Sequence, residues 1–202
     1  MLFSDTYFEI TSDAESSIRE KGSRFLAYSY NVKSEEDVKK HLTEIKQKYP
    51  DATHHCYAYI LGQASQAQRA NDDGEPSNSA GRPILRAILS KQLTNVLVIV
   101  VRYFGGTMLG IPGLIEAYGS SAKLVLDQSG LIEKFMEEKF TISGEFQHEQ
   151  EIHRLLNSYQ VRISNREYTE RVTYEVFIRK GQAIQFEKQA KESYLLDVKS
   201  VV

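Results

Sequence analysis

The chain has 202 residues, of which 41% are apolar and 26% charged, and its net charge at pH 7 is −2. Since a domain takes about 150 residues, this length allows one large domain or two small ones. The composition excludes collagen-like, low-complexity and wholly disordered chains. The slightly acidic balance also argues against strong, non-specific binding to duplex nucleic acid, for which a pI above about 9 is typical.

The sequence predicts neither a targeting segment nor a membrane span. Its longest uninterrupted apolar run, residues 96–101, is far shorter than the roughly 20 residues of a spanning helix. The amino terminus lacks the basic stretch that precedes the apolar core of a signal peptide. Because Cys56 is the single cysteine and cannot form an intrachain disulfide, we expect a reducing cytoplasm as the compartment.

Residues 1–131 are predicted to form a first domain that mixes strands and helices. Strands are expected at 7–10, 25–32, 54–61 and 96–103, and helices at 34–49, from residue 83 onward and at 112–127. In the first helix, Ser34 and Asp37 have the spacing of a capping box, and Pro50 ends the pattern. Residues 62–81 contain no aliphatic residue except alanine and are predicted to be a loop. Loops beyond about 12–15 residues are usually functional or mobile.

Residues 136–202 are predicted to form a second, smaller domain, reached through a charge-dense link over 133–139. Its elements are expected at 140–144, 149–159, 161–168, 172–179, 182–192 and 195–201, in the order strand, helix, strand, strand, helix, strand. The order βαββαβ is that of a ferredoxin-like domain. The predicted fold class is therefore α+β, with two domains.

Two glycine-containing segments, 69–83 and 101–114, are not explained by core packing. Each joins one element to the start of a helix, where glycines let backbone N–H groups turn toward an anion. The candidate residues for binding an anion or a nucleic acid are Arg69, Arg82, Arg102, Gly74, Gly105, Gly106, Gly110 and Gly113. The second segment is not a Walker A motif, because Ile111 and Pro112 stand where Lys and Ser or Thr are needed. Alternatively, these glycines serve tight turns and close packing of helix on sheet.

An acidic cluster and a histidine supply the candidates for catalysis. Asp72, Asp73 and Glu75 suit metal ligation or acid–base chemistry, but they do not match a calcium loop and also fit a solvated turn. His54 shares one face of its strand with Cys56, and no second pair completes a zinc site. We therefore predict no metal and no cofactor.

The predicted strands of the second domain carry a set of basic residues interleaved with tyrosines. This secondary basic face consists of Arg162, Arg166, Arg171 and Arg179. Single-stranded nucleic acid or ribosomal RNA could use such a face. Alternatively, it is a solvated sheet surface whose charge is balanced by its own glutamates.

Three motifs make the sequence resemble the IMPACT family, whose bacterial members are the YigZ-type proteins. These motifs are Asp-Asp-Gly-Glu-Pro at 72–76, Ala-Gly-Arg-Pro-Ile-Leu at 80–85 and Val-Val-Arg-Tyr-Phe-Gly-Gly at 100–106. The resemblance implies a first domain similar to domain 2 of ribosomal protein S5 and a second similar to the last domain of elongation factor G. Both folds occur in the translation machinery, and no reaction is implied. Met108 and Glu116 stand where the family often adds positive charge.

The favoured hypothesis is a non-catalytic cytosolic protein that binds ribosomes or structured RNA and modulates translation. In this hypothesis Arg69, Arg82 and Arg102 contact phosphates, and the acidic cluster orients them through charge-assisted hydrogen bonds. One alternative is an enzyme acting on a small anionic or nucleotide-like substrate, so a small-molecule ligand stays open. Another is a protein-interaction adaptor in translational control, with the acidic loop as its docking epitope.

Overall fold

The computed structural model describes residues 5–63, 65 and 67–201. The chain forms two compact units, the N-terminal unit from Tyr7 to Lys134 and the C-terminal unit, which begins at Phe135 and also includes Asp5 and Thr6. The predicted α+β class is confirmed. In the part of the chain that is described, no helix combines the length and apolarity needed to cross a membrane.

The N-terminal unit is built on a five-stranded antiparallel sheet. Its strands are β2 (Ala14–Glu20), β3 (Ser23–Asn31), β4 (His54–Leu61), β5 (Ala67–Asn71) and β6 (Val96–Tyr103), in the order β2-β3-β6-β4-β5. Its helices are α1 (Glu35–Lys48), α2 (Gly81–Ser90) and α3 (Gly110–Gln128). A separate two-stranded sheet pairs β1 (Thr6–Ile10) with β7 (Leu131–Phe135).

The N-terminal unit has three layers: α2 and α3, the sheet, and α1. The central strand β6 contributes to the cores on both faces of the sheet. Val96, Val98 and Val100 point into a core with α2 and α3, whereas alternate residues such as Leu97 and Ile99 point into a core with α1. A strand buried on both faces needs a continuous apolar sequence, which β6 has. The helix α1 begins with the predicted capping box, in which Ser34 and Asp37 cap each other reciprocally.

The C-terminal unit has the predicted order βαββαβ. Its elements are β8 (Glu137–Gly144), α4 (Glu149–Asn157), β9 (Val161–Tyr168), β10 (Val172–Arg179), α5 (Lys180–Glu192) and β11 (Leu196–Val201), with a 3-10 turn at Phe146–His148. The sheet is antiparallel, in the order β11-β8-β10-β9. One face of β10, which includes Tyr174 and Val176, packs against residues of α4 and α5 such as Ile152 and Phe186.

Three strands were not predicted from the sequence. The predicted loop over 62–81 is wrong in part, because β5 pairs with β4 inside it. The predicted link over 133–139 instead contains the end of β7 and the start of β8. The strand β2 is a polar edge strand. None of these segments has the apolar alternation by which a strand is recognised.

Candidate functional site

The two glycine-containing segments meet at one end of the N-terminal sheet. A carboxylate oxygen of Glu75 accepts hydrogen bonds from Arg102 Nη1 at 2.6 Å and from Tyr118 Oη at 2.8 Å. The side chains of Glu75 and Arg102 are only 3% and 6% exposed. Segments that lie apart in the sequence are therefore joined by a buried ion pair. We call this end of the sheet, formed by the turns at 21–22, 72–80 and 104–109, the loop end.

The side chain of Arg102, the second-to-last residue of β6, is enclosed by its neighbours. Its Nη2 donates to Ser23 Oγ at 3.2 Å, and its guanidinium lies 5.5 Å from the ring centre of Phe25 and 5.7 Å from that of Phe104. This guanidinium is shut away from water and paired with Glu75, so Arg102 is not exposed for the phosphate contact that the sequence predicts. Only its Nε lacks a hydrogen-bond partner in the structure's described part.

Asp72 is the cap of α2. One of its carboxylate oxygens accepts the N–H groups of Ala80 at 3.0 Å and Gly81 at 2.8 Å, and the other accepts that of Asn78 at 2.9 Å. A helix amino terminus attracts an anion, and here the protein's own carboxylate fills that place. The start of α2 is therefore not the free anion site that the sequence predicts.

Asp73 ties the acidic turn to the start of β4. Its carboxylate accepts the N–H of His55 at 2.7 Å, and its carbonyl accepts from His54 Nδ1 at 2.8 Å. Because that carbonyl can only accept, His54 carries a proton on Nδ1 and turns Nε2 toward Glu75, at 3.8 Å. His54 and Glu75, two of the catalytic candidates, are thus neighbours.

Cys56 and Tyr118 complete what we call the buried network, which consists of Ser23, His54, Cys56, Glu75, Arg102 and Tyr118. The Cys56 thiol lies 3.0 Å from the carbonyl oxygen of Asp72 and 3.4 Å from Tyr118 Oη. Burial raises the pKa of both the Cys56 thiol and the Tyr118 phenol. Both groups stay protonated near neutral pH, so neither is an activated nucleophile or base.

Close packing requires two glycines of the glycine-containing segments: Gly105, which is among the predicted site residues, and Gly81, which is not. A Cβ on Gly105 would stand 1.8 Å from the carbonyl carbon of Gly22, which has a φ of +83°, and one on Gly81 would stand 2.5 Å from the nitrogen of Asn71. Gly106, with a φ of +84°, has no such neighbour within 4 Å. Close packing therefore explains the glycine at 105 but not the one at 106, beside which there is open space.

The remaining predicted glycines are Gly74, Gly110 and Gly113. Gly74 and Gly110 have positive φ angles of +89° and +70°, which glycine adopts readily. Gly113 lies in the first turn of α3, against Leu109. Gly74 thus lies in a turn of the loop end, whereas Gly110 and Gly113 belong to the first turn of α3.

The three arginines predicted to contact phosphate do not form one set. Arg69 lies on the edge strand β5, opposite Tyr59 on the face of the sheet covered by α1. Arg82 is exposed in the first turn of α2, on the other face, and Arg102 is buried. A cation that the prediction missed, Lys21, is exposed in the β2–β3 turn beside Gly105. In the sequence, the Lys-Gly pair between two predicted strands indicates a turn that would expose this lysine.

Three arginines of the secondary basic face are in ion pairs. Arg162 pairs with Glu137 and lies 4.0 Å from the ring centre of Phe177, and Arg171 pairs with Asp197. Arg166 lies over the Tyr174 ring, at 5.4 Å.

Arg179 donates two hydrogen bonds to Asp5, at 2.6 and 2.7 Å. These bonds lower the pKa of Asp5 to about 2. The positive charge of the secondary basic face is therefore largely balanced within the C-terminal unit itself.

No group of three or more His, Cys, Asp or Glu side chains among the described residues is placed to hold a metal ion. The carboxylates of the acidic cluster in particular accept hydrogen bonds from Arg102 and from backbone N–H groups.

Comparison with known proteins identifies the domains. Residues 21–126 match the Impact N-terminal domain, and residues 142–193 match a domain of unknown function, DUF1949. The protein named IMPACT family member YvyE of Bacillus subtilis is 32% identical over 93% of this chain and 86% of its own length. The chain belongs to the IMPACT family. All six residues of the buried network lie within the first matched range.

Other relatives support the same assignment. IMPACT family member YigZ of Escherichia coli is 30% identical, over 82% of each chain. A solved structure described as that of a hypothetical protein superposes with a TM-score of 0.71 at 28% identity, covering 98% of both chains. The similarity to the IMPACT family thus extends over both matched domains.

Proposed function

We propose that this IMPACT family member is a non-catalytic protein of the cytosol that binds ribosomes or structured RNA and modulates translation. The observation that carries the proposal is the arrangement of charge at the loop end. There the carboxylates of Asp72 and Glu75 turn inward, whereas Lys21, in the turn at 21–22, and Arg82, two residues beyond the turn at 72–80, are exposed. An approaching phosphate would meet these cations, whereas the carboxylates of Glu75 and Asp72 are held by Arg102 and by backbone N–H groups.

Backbone donors at the loop end add to this surface. The helix α3 begins at Gly110 without a side-chain cap, so N–H groups of its first turn are left for an outside acceptor. Phosphate oxygens are such acceptors, and contacts of this kind position a nucleic acid without reading its sequence. The half-exposed ring of Phe104 belongs to the same loop end and offers a base a surface for stacking.

The geometry favours binding over catalysis. A general acid or base has to reach its substrate, but Glu75 is buried against Arg102 and Tyr118. Asp72 uses both carboxylate oxygens on backbone N–H groups of its own loop. These two carboxylates, which the sequence offers as candidates for catalysis, therefore hold the loop end together.

Co-sedimentation with purified ribosomes tests the proposal. The double variant Lys21→Ala/Arg82→Ala should bind several-fold more weakly at low salt, because two phosphate contacts are lost. The slope of log affinity against log salt should become shallower by about 1.5, since each contact contributes about 0.7 to 0.9. The matched control is Lys39→Ala/Lys40→Ala, which removes the same charge from the exposed face of α1.

Equal binding by the loop-end variant and the wild type would overturn the proposal, as would an equal loss in the α1 control. A repeat with ribosomal RNA freed of protein distinguishes the partner. Binding that needs ribosomal proteins rather than RNA would favour the adaptor hypothesis instead.

A further inference from the structure

A groove runs between α2 and α3 on the outer side of the N-terminal unit. The two helices lie side by side, with Pro83 near Gly119 at one point and Lys91 paired with Asp127 further along. The groove between them has a volume of about 530 Å³. Small residues line it, among them Ala87, Ser90, Gly119 and Ser120. Such residues let another backbone approach closely, because interaxial distances follow side-chain size.

An apolar strip continues the groove along α3. Ile115 lines the groove and is exposed, and Ile111, one turn earlier on the same helix, is also exposed. Met108 precedes them in the loop end and is 86% exposed. Large apolar side chains left in water at helical spacing mark a surface that another protein covers.

Two cations border this apolar strip. Arg86 on α2 and Lys123 on α3 line the groove, and within the described ranges neither has an ion-pair partner. Glu116 is the one acidic residue in the lining. The groove thus has a surplus of positive charge in a chain whose net charge is −2.

The combination of exposed apolar side chains with the two bordering cations indicates which kind of ligand the groove binds. An RNA strand would satisfy Arg86 and Lys123 but would leave Ile115 and Ile111 uncovered. An amphipathic helix with acidic borders would satisfy both requirements, which is how such helices bind apolar grooves. Helices α1 and α4 of this chain bury their apolar faces in their own cores, and α5 exposes a single large apolar side chain, Ile184, so these helices of a second copy offer no such segment.

We infer that the α2–α3 groove binds an amphipathic helix of a partner protein, apolar on one face and acidic along its borders. This site is distinct from the loop-end contacts to RNA, because its residues are Arg86, Ile115 and Lys123 rather than Lys21 and Arg82. The protein would then join a ribosome or RNA at one surface to a second protein at another.

A stapled, fluorescein-labelled helix with leucines on one face and glutamates along its borders is the probe, measured by fluorescence anisotropy with the full chain. Saturable binding is expected in the micromolar range. Ile115→Glu and Lys123→Glu should each weaken it about tenfold. Ile184→Glu and Lys188→Glu, the same changes on exposed positions of α5, are the controls and should leave binding unchanged.

Three results would overturn the inference. One is no saturable binding, another is equal binding of a probe with lysines in place of the glutamates, and the third is an equal effect of the α5 controls. If single-stranded RNA displaces the labelled helix and the variant Ile115→Glu binds that helix as tightly as the wild type, the groove is assigned to RNA instead. The variant Lys21→Ala/Arg82→Ala should keep full affinity for the helix, so failure here is distinguishable from failure of the proposed function.

Discussion

The carboxylate of Glu75 and the guanidinium of Arg102 have lost almost all contact with water. A buried ion pair adds little stability over an apolar pair, because desolvation offsets the attraction. Removing one partner is costly, since the other charge is then left buried and alone. Tyr118 and Ser23 supply the hydrogen bonds that such a pair needs. The pair thus fixes the geometry of the loop end, because the two segments it joins have to stay together.

Replacement of Glu75 tests this structural role. Glu75→Leu should lower the free energy of unfolding of the N-terminal unit by about 3 to 5 kcal/mol, because Arg102 stays charged in an apolar site. The double variant Glu75→Leu/Arg102→Met should recover most of that loss. Urea unfolding followed by fluorescence of the tyrosines measures both values.

The control is Asp127→Ala, which breaks an exposed ion pair with Lys91 and should cost less than about 1 kcal/mol. A cost of that same size for Glu75→Leu, or a double variant as unstable as the single one, would mean that the buried pair is not what holds the two segments.

At the scale of elements, one side chain organises the turn between β5 and α2. Asp72 accepts three backbone N–H groups, from Asn78, Ala80 and Gly81, and so replaces the hydrogen bonds that a turn and a helix start lack. The side chain of Asp72 therefore ties the turn at 72–80 to the start of α2.

Loss of this cap should loosen the turn and the start of α2 while leaving the sheet intact. Asp72→Ala should cost about 1 to 2 kcal/mol of stability. The amide hydrogens of Asn78, Ala80 and Gly81 should exchange much faster, whereas those of β6 should keep their protection. Unchanged exchange at these three amides would show that other contacts order the turn.

The sequence predicts an element well where its own side chains determine it. The apolar run of β6 and the capping box of α1 are of this kind, and both elements lie where they were expected. The strands β2 and β5 are held by backbone bonds to their neighbours, which leave no pattern in their own residues.

The buried network escaped prediction for a related reason. Arg102 meets Glu75 and Ser23 across 27 and 79 positions of the sequence. Arginine is also among the residues least often fully buried unless paired. The sequence predicts a charge-assisted hydrogen bond from the acidic cluster to Arg102, and Glu75 provides it. A pattern read along the chain nevertheless favoured exposure for Arg102, and only the fold shows that the pair is buried.

At the scale of the whole molecule, two units have separate hydrophobic cores. The N-terminal cores lie on the two faces of its sheet, and the C-terminal core is formed by other residues, among them Phe140, Tyr174 and Phe186. Both proposed binding surfaces belong to the N-terminal unit. Because the two cores are separate, we expect the N-terminal unit to keep its structure when the C-terminal core is weakened.

Phe186→Ala tests that expectation. Phe186 is fully buried and lies 5.1 Å from the ring centre of Phe140 and 5.2 Å from that of Tyr159, so its truncation should cost the C-terminal unit about 3 to 5 kcal/mol. Amide exchange should accelerate in β8 and β10 and stay slow in β3 and β6, because core contacts act within a unit. Binding of ribosomes by the variant should persist. Equal loss of protection in β6 would show instead that the chain unfolds as one cooperative body, in which no surface can be assigned to one unit alone.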